Sequence, residues 1–206
     1  MRVDKSSIKI PFEEPFEKIE SVFSSPAGLK LYMANLYYQL PVEDFTYFNS
    51  GFNWNMAGPN NGGQARAMST DEAIHTEAGG YNTGPNGDGV NMNNYWISGY
   101  ALIRDVNLLI DAVPSLNIPD TEKDKILGEA SFLRAWAYYG IAIRYGGCPL
   151  IKSSQVYQSD PEVLKVPRST EKETYDYILS ELDVAIGKLP DNWNGERRAT
   201  KWVAYA

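Results

Sequence analysis

The chain has 206 residues, the size of one domain, and carries 26 acidic and 19 basic residues for a formal net charge of −7 at pH 7. This balance argues against nucleic-acid binding, because phosphate contacts require a basic surface. The single cysteine excludes an internal disulfide, and the single histidine has no second ligand at zinc-site spacing. We therefore predict no metal, no cofactor and no nucleic-acid partner.

The first predicted helix begins at Ser25 and Pro26. Serine is a favourable N-cap, and proline is tolerated at the first helical position. Pro41 ends the pattern. The apolar positions between them recur at helical spacing and are Leu29, Tyr32, Met33, Leu36, Tyr37 and Leu40.

Residues 41–94 combine many glycines and asparagines with aromatic side chains. A structureless stretch this long inside a compact domain is normally functional or disordered. Its aromatic content argues against disorder, because disordered segments contain few aromatics. We expect part of it, around residues 69–76, to form a short helix.

Two longer helices are predicted next. The first runs from Asn94 to about Val113, and one of its faces is made of Trp96, Tyr100, Ile103, Asn107 and Ile110. The second runs from Asp120 to Tyr145 and ends at two glycines. Its core stripe is Ile126, Ala130, Leu133, Ala137 and Ile141.

A capping-box pattern of Thr170 and Glu173 predicts a fourth helix, which Pro190 closes. Another helix opens with Thr200 as its N-cap, and no Gly, Asn or Pro closes it before Ala206, so we expect the natural chain to continue. The result is two helical hairpins, residues 94–145 and 171–206, as in stacked helix pairs. The stripe of the fourth helix is Tyr175, Ile178, Leu179, Leu182, Ile186 and Leu189.

The segment at residues 126–150 reads ILGEASFLRAWAYYGIAIRYGGCPL. It closely resembles the central signature of the SusD/RagB family: Glu-Ala, Phe-Leu-Arg-Ala, Tyr-Tyr, Arg-Tyr-Gly-Gly and Pro-Leu. The helix from Trp96 to Asn107, residues 167–190 and residues 198–201 are similar to other family segments, in the expected order. Two residues depart from the pattern: Gly140 lies in mid-helix, and Trp202 stands where the family has a small residue.

The resemblance implies an all-α, SusD-like fold with tetratricopeptide-like helix pairs and long irregular loops. Residues 1–206 would be the N-terminal helical part of a longer protein whose C-terminal part is absent from this chain. The implied protein is not an enzyme. It is an outer-membrane, cell-surface lipoprotein that binds oligosaccharide or polysaccharide for import through a partner SusC-type TonB-dependent transporter. Its lipid anchor, on a cysteine at the mature N-terminus, does not lie in this chain.

The aromatic and amide residues of the long loop are the predicted ligand site. Sugar capture needs flat aromatic faces for pyranose rings and polar groups for hydroxyls, and tyrosine and tryptophan supply both. The predicted ligand-binding residues are Phe52, Trp54, Tyr81, Asn93, Asn94, Tyr95 and Trp96, and Phe48 fits the same requirement. The alternative for each is that it packs the loop onto the helices, and for Trp96, on the helical stripe, packing is the better interpretation.

Two other functions stay open on the sequence. The same fold could bind a peptide cargo, and a glycoside hydrolase is the less favoured alternative. Glycoside hydrolysis requires two carboxylates facing the scissile bond, and no pair of acids stands out for that role. We interpret Glu129 and Arg134 as members of structural ion pairs or helix-end hydrogen bonds, and we predict no catalytic residue.

Overall fold

The computed structural model of this chain describes residues 22–23, 25–40, 95–156 and 160–206. These ranges contain α1 (Pro26–Gln39), α2 (Tyr95–Ala112), α3 (Asp120–Tyr145), α4 (Glu171–Lys188) and α5 (Lys201–Tyr205), with short 3-10 helices at Val113–Ser115 and Pro161–Leu164. No β-strand occurs in the described ranges, which include one isolated antiparallel bridge between Pro149 and Arg168. The predicted all-α fold is confirmed. The predicted short helix around residues 69–76 lies outside the described residues.

The helix ends follow local chemistry. The Ser25 hydroxyl accepts a hydrogen bond of 3.0 Å from the Gly28 amide, as expected of an N-cap. Thr170 and Glu173 form the predicted capping box at the start of α4. Thr200 is the N-cap residue of α5, as predicted, although its side chain makes no capping hydrogen bond.

The helices pack as antiparallel neighbours. Gly99, near the start of α2, lies against Ile141, near the end of α3. Gly128, near the start of α3, lies against Lys188 and Leu189 at the end of α4. The absence of a side chain at each glycine lets the neighbouring element approach closely. This packing confirms the predicted hairpin of residues 94–145, and α4 also contacts α5, as predicted for the hairpin of residues 171–206.

α3 is the central element of the fold. Its buried residues occur on nearly every side of the helix, unlike those of an amphipathic surface helix, which occupy one stripe. Helices α2 and α4 both contact it. The largest fully buried side chains of α3 are Tyr138, Leu133, Ile141 and Glu129.

Two predicted apolar stripes need correction. In α2 the fully buried aliphatic side chains include Leu102, Val106 and Leu109, whereas Trp96 and Ile110 on the predicted stripe are only partly buried. In α4, the predicted core stripe includes Leu179, which is 59% exposed. The buried face of α4 includes two polar residues, Thr174 and Glu181. Because hydrophobic periodicity counts only apolar positions, it predicted a buried face turned toward Leu179.

Candidate functional site

Two of the predicted ligand residues, Tyr95 and Trp96, lie in the first turn of α2, beside the last turns of α3. The Tyr95 side chain is buried, with 4% relative exposure. Its ring lies under the guanidinium of Arg144, whose Cζ is 3.8 Å from the ring centroid. Arg144 also donates a hydrogen bond of 2.5 Å to the Gly140 carbonyl. The start of α2 is thus attached to the end of α3 through an aromatic ring and a cation.

Gly140 is explained by this contact. A Cβ atom at residue 140 would lie 1.6 Å from the Tyr95 Oη and 2.1 Å from its Cζ, far inside van der Waals distance. The mid-helix glycine therefore makes room for the Tyr95 ring. Its cost in helix propensity, about 1 kcal/mol relative to alanine, is offset by the burial of an aromatic side chain.

Trp96 belongs to a half-buried aromatic cluster. Its ring is 5.3 Å from that of Tyr145, edge to face, and 5.0 Å from that of Tyr100. The Tyr100 hydroxyl donates a 2.7 Å hydrogen bond to the Pro149 carbonyl. These contacts agree with the packing interpretation of Trp96, and ligand contact by Tyr95 or Trp96 stays a prediction.

The other predicted ligand residues lie outside the described residues. They are Phe48, Phe52, Trp54, Tyr81, Asn93 and Asn94. Their contact with a glycan stays a prediction. The described part of the chain resumes directly after Asn94, at Tyr95, which is the first residue of α2.

A buried ion pair joins α3 to α4. Arg134 Nη2 donates to Glu181 Oε1 at 2.8 Å, and its Nε donates to Glu181 Oε2 at 3.0 Å. Arg134 Nη1 donates to Asn107 Oδ1 at 2.7 Å and to the Lys152 carbonyl at 3.1 Å. Asn107 Nδ2 donates to the Ile151 carbonyl at 2.9 Å. One guanidinium thus holds α2, α3, α4 and the segment after α3 together.

The second buried carboxylate is Glu129, which is 0% exposed. It accepts a hydrogen bond from the Tyr37 hydroxyl at 2.8 Å and from Arg198 Nε at 2.7 Å, and Arg198 Nη2 pairs with its other oxygen. Burial raises the pKa of the Glu129 carboxyl, and Arg198 and Tyr37 oppose that rise. The Ala199 amide donates to the Tyr37 hydroxyl at 2.9 Å, so α1 and the residues before α5 meet here.

These two clusters are structural in character. A buried carboxylate whose oxygens already accept hydrogen bonds from an arginine is not available to a substrate. Glu129 and Arg134 therefore do take part in ion pairs, as interpreted from the sequence, but with partners that the sequence did not identify. Helical periodicity gives no sign of Glu181 or Arg198, because neither position belongs to an apolar stripe.

The described ranges show neither a group of side chains that could bind a metal ion nor a reactive thiol. No group of three His, Cys, Asp or Glu residues able to hold a metal ion occurs there. Cys148 is a buried free thiol, and burial raises its pKa, which disfavours the nucleophilic thiolate.

Among the helices of the described ranges, none combines the length and the apolar character needed to cross a bilayer.

Comparison with known proteins identifies relatives of one kind. Residues 14–206 match the model of the SusD-like family that is described as starch-binding and associating with the outer membrane. A SusD-like protein, P38, from Formosa agariphila is 37% identical over 90 residues, which is 44% of this chain and 17% of that protein.

Solved structures agree in fold. A SusD-like protein from Bacteroides fragilis superposes with a TM-score of 0.73 at 26% identity, over 93% of this chain and 36% of the other. A surface glycan-binding protein A from Bacteroides fluxus has a TM-score of 0.60 at 16% identity, over 88% of this chain and 38% of the other, a likeness of fold alone. The chain thus spans less than half the length of these relatives.

Proposed function

The chain belongs to the SusD-like family, and we propose on that premise that the whole protein binds oligosaccharide or polysaccharide at the cell surface and has no catalytic activity. The observation that carries the proposal is the family match over residues 14–206, with its description as starch-binding and outer-membrane-associated. The name of the Bacteroides fluxus protein, a surface glycan-binding protein of the same fold, supports the same class of ligand.

The wider arrangement is part of the proposal. Residues 1–206 form the N-terminal helical part of a longer protein, which fits the 17–22% of the curated relatives and the 36% of the Bacteroides fragilis structure that the matched segments cover. The protein is anchored by a lipid to the outer membrane and passes its glycan to a SusC-type TonB-dependent transporter. Both of these features rest on the resemblance of the signature segment at residues 126–150.

The proposed binding is non-covalent. Aromatic side chains stack on sugar rings, and amide groups such as those of Asn93 and Asn94 meet the hydroxyls. A shallow site of this kind binds with roughly micromolar to millimolar dissociation constants, about −8 to −4 kcal/mol. A tethered partner then retains the glycan by raising its effective concentration.

The test is a binding measurement on the full-length protein. Isothermal titration with soluble starch and with a panel of plant, host and storage glycans should show binding, and Trp54→Ala should weaken it about tenfold or more, by loss of one stacked ring. Trp202→Ala is the matched control, because Trp202 is 59% exposed on α5 and is not a predicted ligand residue. Binding to oligopeptides alone would support the peptide alternative, and reducing ends released over time would show an enzyme.

A further inference from the structure

We propose that the turn between α4 and α5 carries a site of spontaneous chemical modification, at which Asn194 is converted to aspartate and isoaspartate. Among the asparagines of the described ranges, Asn194 alone precedes a glycine. Attack of a backbone nitrogen on the preceding side-chain amide is least hindered when the attacking residue is glycine, because glycine has no Cβ atom. This chemistry does not depend on glycan binding, because it involves only residues of the turn.

The turn that presents Asn194 is formed by residues 193–196. It is closed by a hydrogen bond of 3.2 Å from the Glu196 amide to the Trp193 carbonyl. Its two central residues have positive φ angles, 51° for Asn194 and 100° for Gly195. Asparagine followed by glycine is the preferred pair for such a turn, because both residues tolerate the left-handed region. The backbone conformation thus favours a dipeptide that is also chemically labile.

The reacting groups of the turn are open to solvent. Asn194 and Gly195 are both exposed, and a Cβ atom at residue 195 would meet nothing within 4 Å apart from its chain neighbours. The Gly195 amide makes no hydrogen bond to any described residue, and neither does the Asn194 side-chain amide. No hydrogen bond of either group therefore has to break before the Gly195 nitrogen approaches the side chain.

Asn192 provides a comparison within the same connection. It is also exposed, but the residue that follows it is Trp193, whose side chain hinders ring closure. The Asn192 Oδ1 atom also accepts a hydrogen bond of 3.2 Å from the Asn194 backbone amide, which holds the side chain in place. We therefore expect Asn192 to react far more slowly than Asn194.

The reaction is a ring closure followed by hydrolysis. The Gly195 nitrogen gives up its proton to water or hydroxide and bonds to the Asn194 Cγ, whose bond to Nδ2 breaks and releases ammonia. Water then opens the resulting succinimide ring. Cleavage of the bond between Cγ and the ring nitrogen gives aspartate, and cleavage of the backbone C–N bond gives isoaspartate. Either product replaces an amide by a carboxylate and so adds one negative charge to the formal −7 of the unmodified chain.

The modification should leave the rest of the fold intact, because side-chain contacts hold the base of the turn. The Arg198 Cζ lies 3.9 Å from the centroid of the Trp193 ring, and the Trp193 indole N–H donates to the Ala199 carbonyl at 2.6 Å. Arg198 Nε also donates to the buried Glu129 carboxylate at 2.7 Å. The methylene that isoaspartate adds to the main chain is therefore confined to the two central residues of the turn.

Peptide mapping of the full-length protein after incubation at mildly alkaline pH tests the assignment, since alkali speeds loss of the amide proton. Trypsin cleaves after Lys188 and Arg197, so Asn192 and Asn194 lie in one peptide, residues 189–197. Fragment ions should place the mass gain of an NH₂-to-OH exchange at Asn194, where it accumulates about tenfold or more faster than at Asn192. Asn194→Gln should abolish the gain in this peptide, because ring closure then requires a larger ring.

Each outcome decides for or against the site. The other two Asn-Gly pairs, at Asn61 and Asn86, lie outside the described residues and in different tryptic peptides, so they do not enter the measurement. No gain at Asn194 in the folded protein would overturn the proposal, and a gain that appears only in urea would show that the fold protects the site. Equal gains at Asn192 and Asn194 would also overturn it. If ion exchange isolates a modified fraction with a lower melting temperature, confinement to the turn is refuted.

Discussion

Glu129 and Glu181 are both buried, and an arginine meets each of them, Arg198 and Arg134 respectively. Transfer of a lone carboxylate into a protein interior is very unfavourable, so a buried charge persists only with a partner and further hydrogen bonds. The pair of Arg134 and Glu181 is the more enclosed one, with both side chains less than one tenth exposed. Its geometry is bidentate, which is the strongest arrangement for a guanidinium and a carboxylate.

Glu181→Gln should therefore lower the free energy of unfolding by about 3–5 kcal/mol, because Arg134 keeps its charge without a counter-ion. Urea denaturation measures this change. Lys172→Gln is the matched control on the same helix, since it removes an exposed pair with Asp176 and should leave the denaturation midpoint unchanged. The double variant Arg134→Met with Glu181→Leu should recover most of the lost stability. Equal midpoints for Glu181→Gln and the control would contradict this account of the pair.

Helix ends in this chain differ in how they are stabilised. At the start of α4 the Thr170 hydroxyl accepts from the Glu173 amide, and the Glu173 carboxylate accepts from the Thr170 amide at 2.7 Å. At the start of α5 the Thr200 hydroxyl makes no such bond. Both threonines look alike in sequence, but the box requires a Glu or Gln at the third helical position, and α5 has Val203 there.

Thr170→Ala should lower the free energy of unfolding by about 1 kcal/mol, the usual contribution of an N-cap hydroxyl. Thr200→Ala provides the comparison, because the same change at the start of α5 removes no capping hydrogen bond and should have little effect. Thermal unfolding monitored by circular dichroism distinguishes the two. An unchanged free energy of unfolding for Thr170→Ala would show that the capping box does not stabilise α4.

Across the whole molecule, tyrosine hydroxyls link the helices to one another. The Tyr32 hydroxyl of α1 donates to the Asp105 carbonyl of α2 at 2.9 Å, and Tyr138 of α3 exchanges hydrogen bonds with the backbone of Ile151. Burial raises the pKa of these phenols well above the ordinary value of about 10. The same holds for three further residues, Tyr37, Tyr100 and Tyr177.

The protein should accordingly lose stability in alkali. Because these phenols hold their protons more tightly in the folded state, their contribution is complete below the unfolded pKa of about 10 and is lost as the pH rises above it. Melting temperatures measured from pH 8 upward should fall beyond about pH 10. Tyr177→Phe should reduce this fall and cost little at neutral pH, since its buried hydroxyl has no hydrogen-bond partner in the described part of the chain. An alkaline fall identical in wild type and Tyr177→Phe would contradict the assignment for that residue.

The local part of the architecture follows from side-chain chemistry and spacing along the chain. Ser25 caps the start of α1, Thr170 caps the start of α4, and Gly146, which has a φ of 70°, caps the end of α3. Each of these boundaries depends on residues within a few positions of one another, so side-chain chemistry and spacing predict them. The signature at residues 126–150 likewise identified the family, because a family motif is a property of the chain and needs no coordinates.

Which polar groups are buried, and which partners they contact, depends on how the helices pack in three dimensions. Glu129 contacts Arg198, 69 positions away, and Arg134 contacts Glu181, 47 positions away. Helical periodicity placed Leu179 inside and left out Glu181, because it scores each side chain by polarity and cannot include a distant partner that offsets the cost of burial. The departure of Gly140 from the family pattern is likewise explained only by the packing, since the Tyr95 ring fills the space that a Cβ atom at residue 140 would need. Such contacts depend on the relative placement of whole helices, which local sequence does not encode.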